Sequence, residues 1–299
     1  MNILSSNDIS KDQINKIFEI ADNLKENKEE TAIKENSVLS LLFEKPSTRT
    51  RLSFEAAMAQ LGGKSVYLDA QTTHLSRGES IGDTSRVLSS YSDFIAARMY
   101  SQDDLIELAE CSSVPVINAL TDLEHPTQAL VDMYTIKAHK KNLHNTRIAF
   151  VGDIASNTAN SLMITASKLG SNMVLISPNG YLPNSAYFNK AREYGNVEVT
   201  ASIEEGMDNV DVIYTDTFVS MGQEKIAEER RKLFAGYQVD QHVVDMANSD
   251  AIVMHCLPAH RGEEISADVI DGPKSVVWEQ AKNKMLIAKA ILLYLSIDR

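Results

Sequence analysis

Val38-Leu-Ser-Leu-Leu-Phe43 runs directly into Glu44-Lys-Pro-Ser-Thr-Arg-Thr-Arg-Leu-Ser-Phe54. The first six residues are a short apolar run of the kind that forms a strand buried on both faces of a parallel sheet. Beyond the break, Phe54, Ala57, Met58 and Leu61 are spaced i, i+3, i+4, i+7 and make one apolar face of a helix. Pro46 and Ser47 mark the junction, with Ser47 as the expected side-chain cap. Ser47, Thr48, Arg49, Thr50 and Arg51 therefore occupy a strand-to-helix turn, where free backbone amides and the positive end of the helix dipole bind phosphate. Hydroxyls and two arginines in five residues add donors of matching charge, all expected to face one way. A capped helix with surface ion pairs is the plainer alternative, but the density of donors favours an anion site.

Working outward, short apolar runs at Val38–Phe43, Ser65–Leu68, Phe94–Met99 and Val114–Leu120 alternate with amphipathic segments opening near Thr50, Ser80, Gln102 and Pro126. This alternation predicts an open, mostly parallel sheet with helices on both faces. It restarts after the polar stretch Lys140–Thr146, with strands expected at Arg147–Val151, Met173–Ser177, Val197–Thr200, Asp211–Thr215, Ala251–Leu257 and Val276–Trp278. The expected fold class is α/β: two doubly wound domains, 1–140 and 141–299, with the active site in the cleft between them. A helical stripe over residues 7–26 precedes the first strand. Met285, Ala288, Leu292 and Leu295 share one face of a final helix over about 280–297, expected to pack back on the first domain.

The 299 residues carry a formal net charge of −12 without any Lys/Arg block. Nucleic acid and anionic membranes both need a basic face, so neither is an expected partner. In so acidic a chain an anion must be held by a local cluster, which gives the Ser47–Arg51 turn more weight. No apolar stretch is long enough for a membrane span, and the first residues lack a charged and then apolar leader. Cys111 and Cys256 make neither a disulfide framework nor a zinc pattern, so a reducing cytoplasm and no metal or cofactor are expected.

Other polar clusters fall just past strand ends, where ligands of open α/β sheets bind. Arg98 ends an apolar strand. It is either an edge arginine reaching solvent or a second guanidinium for the anion. His125-Pro-Thr-Gln128 opens a helix with Pro126 at its first position. A neutral imidazole and an amide N–H there are good donors to a carbonyl oxygen gaining charge, and a simple cap is the alternative for His125. Gly152-Asp-Ile-Ala-Ser-Asn157 lacks the glycine spacing of a dinucleotide site, and Asn157 is a cap or a ligand contact. Asp216, ahead of Ser220-Met-Gly222, suits an ammonium group or forms an Asx-turn. In His255-Cys-Leu-Pro258 the adjacent His and Cys point to opposite strand faces, so Cys256 lines a pocket rather than forming a covalent dyad.

Taken together, these segments resemble the aspartate/ornithine carbamoyltransferase family in order and spacing from near residue 38 to the C-terminus. Ser47-Thr-Arg-Thr-Arg51 is similar to its carbamoyl-phosphate signature, with Arg98 and His125–Gln128 as companions. Asp216–Gly222 and His255-Cys-Leu-Pro258 are similar to its ornithine branch. The resemblance implies transfer of the carbamoyl group of carbamoyl phosphate to the δ-amine of L-ornithine, giving L-citrulline and phosphate in arginine metabolism. Ser47, Thr48, Arg49, Thr50 and Arg98 grip the phosphate in that scheme. Arg49, Arg98, His125 and Gln128 polarise the carbonyl; Asn157, Asp216, Ser220 and Met221 hold the amino-acid head group. Cys256 and Leu257 line the path of the amine and, with Lys284, complete the carbamoyl-phosphate contacts. A homotrimer or an assembly of trimers is implied through a loop carrying His74 that is offered to the neighbouring subunit. Three positions depart from the family pattern: Lys284 replaces an arginine, His74 a glutamine and Phe218 a tryptophan. The competing readings are a carbamoyltransferase for another amine such as putrescine, a non-catalytic regulatory subunit and, more remotely, a nicotinamide oxidoreductase.

Overall fold

The computed structural model describes residues 1–26, 32–140, 142–219 and 224–297. The chain divides into two units, Met1–Val131 with Lys282–Arg299 and Asp132–Ala281.

In the first unit, α1 (Lys11–Lys25) opens on a capping box, Ser10 and Gln13 each accepting the other's backbone N–H. There follow β1 (Val38–Phe43), α2 (Thr48–Gln60), β2 (Lys64–Asp69), α3 (Ile81–Tyr91), β3 (Phe94–Arg98), α4 (Gln102–Cys111), β4 (Val116–Leu120) and the first residues of α5 (Pro126–Lys140), a helix that continues into the second unit. All four strands are parallel in the order β2-β1-β3-β4. β3 and β4 are buried throughout, as a sheet covered on both faces requires. Leu42, Ile95, Ala97 and Val116 pack with Leu88 of α3 and Leu105 and Leu108 of α4. The strand order reverses between β1 and β3, which is where such sheets bind ligands.

The second unit contains β5 (Arg147–Val151), α6 (Asn157–Lys168), β6 (Asn172–Ile176), α7 (Ser185–Arg192), β7 (Val197–Thr200), α8 (Ile203–Gly206), β8 (Val212–Thr215), α9 (Ala227–Phe234), α10 (Gln241–Asp245), β9 (Ile252–His255) and α11 (Ala267–Ile270). Its five parallel strands run β7-β6-β5-β8-β9, reversing between β5 and β8. Ala149, Val151, Val174, Ile176, Ile213 and Val253 supply the strand side of its core. The α/β class with parallel sheets flanked by helices is the one expected.

The strand expected at Val276–Trp278 is absent, because α12 (Val277–Ser296) starts inside it. Ser275 still bridges to Val253, and Val276 N–H donates to Val253 O at 3.0 Å, so the chain does approach β9. Beyond that point Ile287, Ala288, Ile291, Leu292 and Leu295 are buried at helical spacing, and this longer pattern takes Val277 into the helix. Among the described residues no helix is long and apolar enough to cross a membrane.

Candidate active site

Phe43 of β1 lies opposite Arg98 of β3, so the turn after β1 and the end of β3 meet at the first unit's reversal point. Ser47 is extended and its Oγ accepts Thr50 N–H at 3.3 Å, capping α2 as expected. Thr48 is exposed, Arg49 half-buried and Thr50 buried. Arg51 departs from the expectation. Its Nε donates to Glu55 Oε1 at 3.0 Å, and its guanidinium stands 3.6 Å above the Tyr67 ring. Because the helix already begins at Thr48, Arg49 and Arg51 are two positions apart on it and project to opposite sides.

Arg98 is only 5% exposed and lies on an interior strand, which removes the reading of an edge arginine reaching for solvent. The β3–β4 register slips between Ala97 and Arg98, pairing Arg98 with Leu120. Such a bulge re-aims the side chain at the end of its strand. The β4–α5 loop is fixed from behind. Glu124, buried, accepts Ser6 N–H at 2.7 Å and the Ser5 hydroxyl, while Thr121 N–H donates to Glu124 O.

That loop delivers His125. Its backbone carbonyl accepts from Gln128 and Ala129 N–H, while its buried ring shares a 3.3 Å hydrogen bond with the Thr127 hydroxyl. Burial, and then the positive charges of Lys284 and Arg98, hold the imidazole well below its ordinary pKa. A neutral ring is the form suited to donating to a developing oxyanion. Lys284 Nζ donates to Gln128 Oε1 at 2.6 Å, leaving the amide NH₂ as the donating end of Gln128.

In the second unit Val151 pairs with Thr215, and Thr215 with His255, so the loops after β5, β8 and β9 lie side by side. Asp216 Oδ1 accepts from the Cys256 thiol at 3.2 Å and from Thr217 N–H at 2.8 Å; the latter bond is to the next residue and is not an Asx-turn. The cap of α6 is Ser156, so Asn157 at the first helical position is not the cap. Ser220 and Met221 lie outside the described residues. Leu257 has φ of +60°, and its N–H donates to His255 Nδ1 at 2.8 Å. His255 therefore carries its proton on Nε2, which donates to Glu264 at 3.0 Å. Gly152 has φ of +116°, and a Cβ there would meet the Phe218 ring at 2.8 Å.

The family model of the carbamoyl-P binding domain of aspartate/ornithine carbamoyltransferases matches residues 1–138, and that of the Asp/Orn binding domain residues 144–295. The chain belongs to the aspartate/ornithine carbamoyltransferase family. An ornithine carbamoyltransferase of Methanobrevibacter smithii is 47% identical over 298 residues, covering 98% of both chains. One named catabolic, of Halobacterium salinarum, is 45% identical over 97% of both. The solved ornithine carbamoyltransferase from Pyrococcus furiosus has a TM-score of 0.92 at 45% identity, covering 97% of this chain and 95% of that one.

For a carbamoyltransferase of this family, three groups missing from the sequence reading organise the strand ends: Glu124, Glu264, and a cluster around Asp153. Burial pushes the Asp153 carboxyl up, while Arg230 at 2.5 Å and the Tyr181 hydroxyl at 2.7 Å act against it. Arg230 Nε also donates to Phe218 O at 2.6 Å, anchoring the chain just before Ser220. Phe218 is buried and stacks on Phe234, so it serves the core. His74 is exposed in a short 3₁₀ turn, His74–Arg77. Asp216, His255 and Cys256 offer ligand atoms within 4.8 Å of one another and could hold a cation, as could His260, Glu263 and Glu264. In the first set the hydrogen bonds just described already engage each atom.

Proposed function

We propose that this chain is an ornithine carbamoyltransferase. It transfers the carbamoyl group of carbamoyl phosphate to the δ-amine of L-ornithine. The observation that carries the reading is the convergence, at one reversal point, of the α2 N-terminus with buried Arg98, neutral His125 and the oriented amide of Gln128. Family membership and high coverage of relatives named for that activity support it.

The first unit holds carbamoyl phosphate. Ser47, Thr48, Arg49, Thr50 and Arg98 take the phosphate, and Lys284 adds a point charge where a forked guanidinium is usual. The second unit holds ornithine, with Asn157 and Asp216 on the α-amino and α-carboxylate groups and Cys256 and Leu257 along the amine. Ser220 and Met221 are assigned to the same head group. A neutral δ-amine attacks the carbonyl carbon, and charge builds on the carbonyl oxygen facing Arg49, Arg98, His125 and Gln128. The bond from carbon to phosphate oxygen then breaks, and the departing phosphate can take the amine's proton. Positioning and charge stabilisation supply the acceleration, with no covalent intermediate on the protein.

We place the reaction in the citrulline-forming direction, as a step toward arginine, in the cytoplasm. The exposed His74 turn supports a homotrimer in which each subunit offers that loop to a neighbour. Citrulline formation from carbamoyl phosphate, with L-ornithine, putrescine and L-aspartate as parallel acceptors, tests the assignment. Turnover with ornithine alone is expected; preference for putrescine or aspartate overturns the substrate, and none with any acceptor overturns the enzyme.

A further inference from the structure

Lys45 follows β1 by two residues and is 4% exposed. Burying an ammonium is costly unless it is paired, so a lysine this deep needs a reason. Its Nζ is paired with the Asp122 carboxylate and stands 4.4 Å over the centre of the Tyr100 ring. Asp122 itself is 60% exposed on the β4–α5 loop. Backbone bonds converge on the same spot. Glu44 N–H donates to Arg98 O at 2.8 Å, Tyr100 N–H to Glu44 Oε2 at 2.7 Å, and Asp122 N–H to Tyr100 O at 3.0 Å.

The three loops joined there are those after β1, β3 and β4. Each carries part of the proposed anion and oxyanion site: Arg49 lies four residues beyond Lys45, Arg98 two before Tyr100, and His125 three beyond Asp122. We propose that Lys45 is a positioning residue, whose ammonium, gripped by Asp122 and Tyr100, holds these three loops in register so that their donors converge on one substrate. The proposal rests on the carbamoyltransferase reading above for its readout. It differs from a direct electrostatic role, in which Lys45 would act by its charge on the bound anion.

The two roles give opposite answers in a double-mutant cycle of Lys45→Met and Asp122→Asn. A positioning strap is lost with either partner, so each single variant lowers kcat for citrulline formation about tenfold or more, since sub-ångström misplacement is enough for that. The double variant is then no worse than either single one, because both act on one interaction. If Lys45 works by direct charge, Asp122→Asn leaves carbamoyl-phosphate affinity unchanged or tighter while Lys45→Met weakens it, and the strap is refuted. Wild-type kcat in Asp122→Asn, multiplicative losses in the double variant, or a lowered melting temperature with kcat intact also refute it. Lys45→Met leaves no buried charge behind, so that variant folds even if Asp122→Asn, which strands the ammonium, does not. Should the wild type itself make no citrulline, the carbamoyltransferase reading fails separately. The cycle is then read by inorganic-phosphate affinity: equal, non-additive weakening keeps the strap, and unchanged affinity sinks it.

Discussion

The two units build their strand ends alike and give them opposite charge. Each has a parallel sheet whose order reverses once, between β1 and β3 or between β5 and β8, and each gathers three loops beside the reversal. The first unit gathers buried Arg98, Lys284, the α2 N-terminus and the donors His125 and Gln128 there. The second places carboxylates there, Asp153 and Asp216, with Arg230 bracing the former. The backbone thus determines where a ligand can sit, and residue choice determines the charge it would meet, which is the basis for proposing an acyl phosphate in one unit and an ammonium-bearing amino acid in the other.

Breaking the first half should have the largest effect. Arg98→Met removes a donor to the developing oxyanion, so kcat is expected to fall about 10²–10³-fold, as for loss of one oxyanion-hole donor. Steady-state kinetics with both substrates varied, alongside circular dichroism for the fold, checks this. The second half is addressed by Asp216→Asn. Loss of one charged hydrogen-bond partner is worth about 1.5–3 kcal/mol, so KM for ornithine should rise roughly 10–100-fold. Carbamoyl-phosphate affinity, measured by calorimetry on the free enzyme, should stay put; a parallel loss there would erase the division of labour between units.

A third test concerns protons. His125 is held neutral in the folded chain, and the unfolded chain binds a proton near the ordinary value of 6.5. The unfolded state therefore binds more protons below that pH, and stability falls as pH drops through it. The His125 share should be about 1 kcal/mol between pH 7 and 5.5. Denaturant titrations of wild type and His125→Gln at both pH values measure it, and an unchanged difference in the variant removes the assignment. The smallest effect is expected from Arg51→Met. Its guanidinium serves Glu55 and Tyr67, so kcat should stay within about twofold and stability within about 1 kcal/mol, as for an exposed ion pair. A large loss of carbamoyl-phosphate affinity would return Arg51 to the anion site.

The strands were legible because a sheet covered on both faces demands unbroken apolar runs, and Val38–Phe43 or Arg147–Val151 have nothing else to be. The turn at Ser47 was legible because a cap, a proline and clustered donors are all local. Arg51 was misjudged by the same local logic, since on a helix capped by Ser47 it and Arg49 stand two positions apart and cannot both face the turn. Lys45–Asp122 and Asp153–Arg230 were out of reach for another reason. Their partners are 77 residues apart in each case, and no spacing rule singles out which lysine meets which aspartate until the strands have been ordered.

One feature of the first unit bears on how the protein is made. Its sheet and Gln128 belong to the first 131 residues, yet Lys284, which holds the Gln128 amide in orientation, comes only with Lys282–Arg299. On a ribosome adding about 5–20 residues per second, the intervening stretch of about 150 residues takes roughly 8–30 s to appear. For that interval the earlier-born unit lacks the Lys284 contact to Gln128. A released chain truncated after residue 281 should accordingly contain every residue of the second unit and lack the last part of the first.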